Sequence, residues 1–109
     1  MSAVFTDANF DNEVLNSGKL SIVDFWATWC PPCIAIGPSI DALATDFEGQ
    51  VNVGKLNADE NPQVSLKYGV TNLPCVLFIY NGEVVDKVVG VASKAAYQQR
   101  VRKLLEVYA

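Results

Sequence analysis

Two stretches of this chain are apolar almost without interruption. Residues 20–27 read LSIVDFWA and residues 75–80 read CVLFIY. Runs this short fit strands better than helices. A strand that is apolar at consecutive positions has to be covered on both faces. The chain therefore calls for a sheet with other elements packed above and below it.

The remaining segments supply those elements. Residues 3–5 form a short candidate first strand. Thr6 or Asp7 can cap a helix through Phe10, Val14 and Leu15, which Gly18 then ends. After WCPPC, the residues Ile36, Ile40, Leu43, Ala44 and Phe47 recur at helical spacing, and Gly37-Pro38 is expected to kink that helix. Residues 51–57 (VNVGKLN) alternate as a strand does, and residues 62–68 suit a short helix closed by Gly69. Asn81-Gly82 is a strong hairpin signal between residues 75–80 and a partner strand over 83–89. Ser93 caps a last helix with Tyr97, Val101, Leu104 and Leu105 on one face. The order is β-α-β-α-β-α-β-β-α. Strands joined through helices are expected to be parallel, with an antiparallel hairpin at the end. The fold class is α/β, a mixed sheet flanked by helices on both faces.

At 109 residues we expect one domain over residues 1–109, large enough to bury a core without staples. The three cysteines are then present for chemistry or packing. The net charge is −4 and no basic cluster occurs, which argues against nucleic acid and anionic membranes as partners. The absence of His excludes His-dependent triads and His metal ligands. The N-terminal residues lack the basic and apolar regions of a secretory signal, and no run approaches a membrane span. We therefore expect a cytoplasmic protein, where a Cys pair is more often catalytic than structural.

Trp29-Cys30-Pro31-Pro32-Cys33 lies between a buried strand and a helix. A two-residue spacer brings both sulfurs within bonding distance across one turn. Cys30 sits at a helix N-terminus, where the dipole and free amides favour a thiolate. Cys33, one turn further in, is expected to be shielded and to attack only internally. Pro31 suits the first helical position. Pro31 and Pro32 together remove two amide donors, which leaves the Cys33 amide, the Cys33 thiol and the helix dipole to support the Cys30 sulfur. A zinc site needs four ligands, and with no His and one further Cys it would require a carboxylate.

Several separated motifs carry a resemblance that spans nearly the whole chain. They are VDFWATWCPPC (residues 23–33), Pro38, VGKLNADENP (residues 53–62), YGVTNLP (residues 68–74) and Gly90. In these the chain resembles the thioredoxin family. The resemblance implies the thioredoxin fold, reduction of protein disulfides, and re-reduction by a thioredoxin reductase. It implies a role in electron transport and cell redox homeostasis, with no cofactor beyond a redox-active Cys30–Cys33 disulfide. We expect a monomer.

The remaining site residues follow from residue chemistry and resemblance together. Asp24 interrupts an apolar run, so it is either a strand-end residue facing solvent or a buried carboxyl. Burial would raise its pKa and equip it to take a proton from Cys33. The resemblance assigns it that role and makes Lys55 its partner; on composition alone Lys55 reads equally as a solvated lysine. The resemblance also makes the Leu73–Pro74 bond cis, with its backbone beside the disulfide to pair with an extended substrate. It maps Trp26, Trp29, Pro31, Pro32, Gly90 and Ala92 to the substrate-docking surface, although Trp26 also suits a core position. Two residues depart from the family pattern. Ile34 replaces a common basic residue and enlarges the apolar surface. Cys75 stands where Thr is usual, and the family geometry places it near the pair, as a third thiol or as a small apolar filler. Cys30, Cys33 and Cys75 give a runner-up: an iron–sulfur-cluster-binding or scaffold protein on the same fold, a dimer supplying the missing ligand.

Overall fold

A computed structural model describes residues 2–108; Met1 and Ala109 lie outside the described residues. Five strands form one sheet: β1 (Ala3–Phe5), β2 (Leu20–Trp26), β3 (Val51–Asn57), β4 (Cys75–Tyr80) and β5 (Glu83–Val89), in the spatial order β1-β3-β2-β4-β5. The helices are α1 (Pro31–Asp46), α2 (Pro62–Lys67) and α3 (Lys94–Leu105).

The central strand β2 is buried from Leu20 to Phe25, as its composition requires. Its side chains alternate between two cores. Leu20 and Ile22 join Val76 and Phe78 of β4 beneath Ile36, Ile40 and Leu43 of α1 and Tyr97 and Val101 of α3. Val23 and Phe25 join Leu56, Leu77 and Ile79 on the opposite face, covered by Phe10, Val14 and Val64. The sheet therefore carries helices on both faces.

One expectation about strand direction fails. β1 and β2 run parallel to β3, but β4 runs antiparallel to β2 although α2 lies between β3 and β4. A parallel return would have to travel back the length of the sheet. α2 has six residues and rises only about 9 Å, against about 23 Å for a seven-residue strand. The chain re-enters the sheet at the end where it left, with Cys75 opposite Phe25. The hairpin forms as expected, with both Asn81 and Gly82 at positive φ.

The first helix also differs. It is a single π-helical turn over Asp11–Leu15, in which the Asn16 amide donates to the Asp11 carbonyl. Thr6 and Asn9 brace its approach reciprocally: the Asn9 amide donates to Thr6 Oγ1 at 3.1 Å and the Thr6 amide to Asn9 Oδ1 at 2.7 Å. Asp7 serves a different element. Its carboxylate accepts from the amides of Gln63 and Val64 at 3.1 and 2.9 Å, satisfying two free donors in the first turn of α2. The helix α1 continues through Pro38.

Close approach between β1 and β3 depends on a glycine. The Phe5 ring lies against Gly54, and a Cβ built there would overlap it. Phe5 is 1% exposed, so the ring has nowhere to retreat. We predict that Gly54→Ala lowers stability by about 1–3 kcal/mol, the usual cost of overpacking. A denaturant melt tests this, and an unchanged midpoint would show that β1 yields instead.

Candidate active site

The end of β2 delivers the chain to the start of α1, and the two cysteines sit at that junction. Cys30 is the N-cap of α1, with extended backbone, and Pro31 and Pro32 occupy the first helical positions. The Cys30 amide donates to the Ala27 carbonyl at 3.2 Å, closing the turn. Cys30 and Cys33 are disulfide-bonded, with Cα atoms 5.3 Å apart. With the two prolines unable to donate, the Cys33 amide supplies the hydrogen bond to Cys30 Sγ, at 3.3 Å.

Burial does not separate the two sulfurs as the spacing suggests. Cys30 is 3% and Cys33 2% exposed, both under cover of Ala27, Trp26 and Leu73. What distinguishes them is position: Cys30 alone caps the helix and accepts its amide. Their flanking residues are open to solvent, Trp29 at 66% and Ile34 at 55%. Trp29 is held by its indole Nε1–H, which donates to Asp59 Oδ2 at 2.7 Å. Trp29, Asp59, Leu66, Val70, Thr71 and Leu73 line a cleft of about 690 Å³.

Asp24 is a buried carboxyl, 1% exposed, and its Oδ1 has no hydrogen-bond partner among the described residues. Burial pushes its pKa up to about 7; Lys55 opposes that shift and Asp41 adds to it. It shares a cleft of about 380 Å³ with Trp26, Cys33, Ile34, Asp41 and Lys55. Lys55 lies beside Asp24 in the β2–β3 ladder, yet its ammonium pairs with Asp41, 3.1 Å from Oδ1.

The Leu73–Pro74 bond is cis. The Gly90 amide donates to the Pro74 carbonyl at 2.9 Å, joining the chain after β5 to the segment before β4. Gly90 adopts a φ of 86°, a region that disfavours side chains. Ala92 is half-buried and packs against the α1–α3 core; its neighbour Val91 is the exposed apolar residue, at 64%. Trp26 is likewise half-buried, packed against the cysteines.

Cys75 does not join the other two cysteines. It is buried on the Val23–Phe25 face of the sheet, in the core closed by Phe10 and Val64, and burial pushes its thiol pKa up. The expectation that it faces the pair is corrected by strand alternation. Cys75 pairs with Phe25, which points away from α1, whereas Asp24 points toward α1. Among the described residues no group of three Cys, Asp or Glu side chains is placed to hold a metal. The three-cysteine ligand set thus does not assemble within one chain.

Asp41, Asp59 and Val91 were not legible as site residues. Each lies outside the quoted chemical motif or carries an ordinary surface side chain, and only the fold brings them to the cysteines' end of the sheet.

Comparison with known proteins gives a consistent answer. The thioredoxin family profile matches residues 1–103. The chain is 51% identical over 89 residues to thioredoxin 2 of Chlorobaculum tepidum, covering 82% of each chain. It is 42% identical over 104 residues to thioredoxin 1 of a Nostoc species, covering 95% of this chain and 97% of the relative. It is 43% identical over 102 residues to the chloroplastic M-type thioredoxin of Pisum sativum, covering 94% of this chain and 59% of that one. With Cys30 and Cys33 paired at the head of α1, the chain belongs to the thioredoxin family and is a thiol–disulfide oxidoreductase.

Proposed function

We propose that this protein reduces disulfides in other proteins and is itself re-reduced by a thioredoxin reductase in a reducing cytoplasm. The observation that carries this reading is the Cys33 amide donating to Cys30 Sγ at the start of a 16-residue helix. In the reduced protein the same amide and the helix dipole favour the Cys30 thiolate. That thiolate attacks one sulfur of a substrate disulfide and releases the other as a thiolate. Cys33 then loses its proton to Asp24, directly or through water, and attacks Cys30 Sγ. This step forms the Cys30–Cys33 bond and releases the second substrate thiolate, so two electrons pass to the substrate.

The placement of Asp24 supports its role as acceptor. A carboxyl with a pKa of about 7 is matched to proton transfer near neutral pH. In this reading Lys55 tunes the acid. Trp29, Pro31, Pro32, Pro74, Gly90 and Ala92 form the docking surface around the disulfide, extended by Ile34 and Val91. The protein acts as a monomer in electron transfer and redox homeostasis, without nucleic acid or membrane. No described helix is long and apolar enough to cross a membrane.

Coupled reduction of insulin, followed by NADPH consumption in the presence of thioredoxin reductase, tests the proposal. Absence of NADPH consumption would sink it. We predict that Cys33→Ser accumulates mixed disulfides through Cys30 while Cys30→Ser accumulates none. Non-reducing gels separate the outcomes, and equal trapping by both variants would refute the division of labour. Cys75→Thr is expected to keep full reductase activity; loss of turnover would make Cys75 a catalytic thiol.

Asp24 also makes stability depend on pH. Its folded pKa lies above its unfolded value of 3.8, so between these values the folded state binds the extra proton. Stability from this group is greatest below the unfolded pKa, declines as pH rises, and is lost above about pH 7. We predict that Asp24→Asn stabilises the protein at pH 8 by roughly 2–4 kcal/mol and flattens this decline. It should also slow resolution of the mixed disulfide. Denaturation curves at pH 5 and pH 8 beside single-turnover kinetics decide the point. Loss of stability with unchanged turnover would make Asp24 a structural residue.

A further inference from the structure

Lys55 and Asp24 are neighbours in the β2–β3 ladder, and both side chains line the same cleft. A lysine so placed would be expected to pair with the buried carboxyl. It does not. The ammonium is 3.1 Å from Asp41 Oδ1 on α1, and it lies 3.6 Å from the position a Cβ would take at Gly37, one turn earlier on that helix. The absence of a side chain at residue 37 leaves α1 open to the ammonium there. Asp41 is itself braced from β1's side of the molecule. Its Oδ1 also accepts from Ser2 Oγ at 2.6 Å and from the Ser2 amide at 3.4 Å. Asp24 Oδ1, meanwhile, has no hydrogen-bond partner among the described residues.

We propose that Asp41 is a positioning residue for the reaction: it holds the Lys55 ammonium against α1 and so keeps Asp24 free of a cationic hydrogen-bond partner. The inference rests on the reading of Asp24 as the proton acceptor for Cys33. An acid bonded directly to an ammonium stays ionised and becomes a weak base. With Lys55 held by Asp41, the lysine acts on Asp24 only through space, and burial dominates. Ser2 strengthens the restraint, and its hydroxyl is the leading cause that lowers the Asp41 pKa and keeps that carboxylate charged.

Among the described residues, few groups face Asp24. Lys55 approaches from β3, Asp41 and Cys33 from α1, and Tyr97 from α3, whose hydroxyl feels the Asp24 charge. The residue opposite on β4 is Val76, which does not titrate, and Cys75 beside it points to the other face of the sheet. The Lys55–Asp41 pair is therefore the adjustable charge in the cleft.

The test uses the oxidised protein, where Cys30 and Cys33 do not titrate. The Asp24 carboxyl is followed by its carbon chemical shift against pH in four proteins: wild type, Asp41→Asn, Lys55→Met and the double variant. Asp41→Asn frees the ammonium to bond Asp24, and its midpoint should fall by about one pH unit. In the Lys55→Met background the same substitution should move the midpoint much less, because only the direct repulsion from Asp41 is removed. Equal shifts in the two backgrounds would overturn the proposal, since Asp41 would then act on Asp24 without Lys55. Asp41 is partly exposed, and an unaltered melting curve for Asp41→Asn checks that the fold is kept. In the reduced protein the pH profile for mixed-disulfide resolution should move down with the Asp24 midpoint. If Asp24→Asn resolves at the wild-type rate, the acceptor reading fails, whereas Asp41's hold on Lys55 is judged by the titrations alone.

Discussion

The structure depends on burying β2 on both faces. This strand has neighbours on each side, β3 and β4, and a core above and below. Leu20, Ile22, Val23 and Phe25 are all essentially without exposure. Removing such side chains from water is the main favourable contribution of the fold, at about 2 kcal/mol or more for each. Because β2 is held from four directions, its C-terminal end is a rigid mount. Trp26 and Ala27 leave that mount and Cys30 caps the helix that follows, so the disulfide sits on fixed ground rather than on a mobile loop.

The short α2 determines what surrounds that mount. Because it cannot carry the chain back along the sheet, β4 enters where β2 and β3 end. Pro74 and, through the Gly90 amide, the turn after β5 are thereby drawn to the same edge as the cysteines. Asp7 contributes from a distance by capping α2. The Asp59 that follows β3 reaches Trp29 from the same edge. Four connections separated in sequence meet at one end of the sheet and together surround the disulfide.

The chemistry is set by a contrast in solvation. Cys30 Sγ receives a backbone donor, which favours the charged sulfur. Asp24, a few residues earlier, receives none at Oδ1 and is desolvated, which favours the neutral acid. The two neighbouring groups thus sit in opposed environments, and burial raises the Asp24 pKa to about 7. The Lys55–Asp41 pair lines the same cleft, where Lys55 opposes the rise of the acid and Asp41 adds to it.

Much of this was legible in the residues. The two apolar runs require a sheet covered twice, Asn81-Gly82 requires a tight hairpin, and CPPC between strand and helix requires a dithiol at a helix start. Each is a local rule: side-chain periodicity, backbone φ, and free amides at a helix end act within a few residues. The direction of β4 was not legible, because it depends on the length of α2 against the length of the sheet. The environment of Cys75 depends on which face of β4 it occupies, and so on the register with Phe25. The partner of Lys55 depends on the packing of α1 over β3, which brings Asp41 and Gly37 to its ammonium. The kinds of element and the reactive pair follow from short-range sterics and hydrogen bonding, which act along the chain. Strand sense, the isolation of Cys75 and the pairing of Lys55 follow from contacts between segments far apart in sequence, which form when the chain packs.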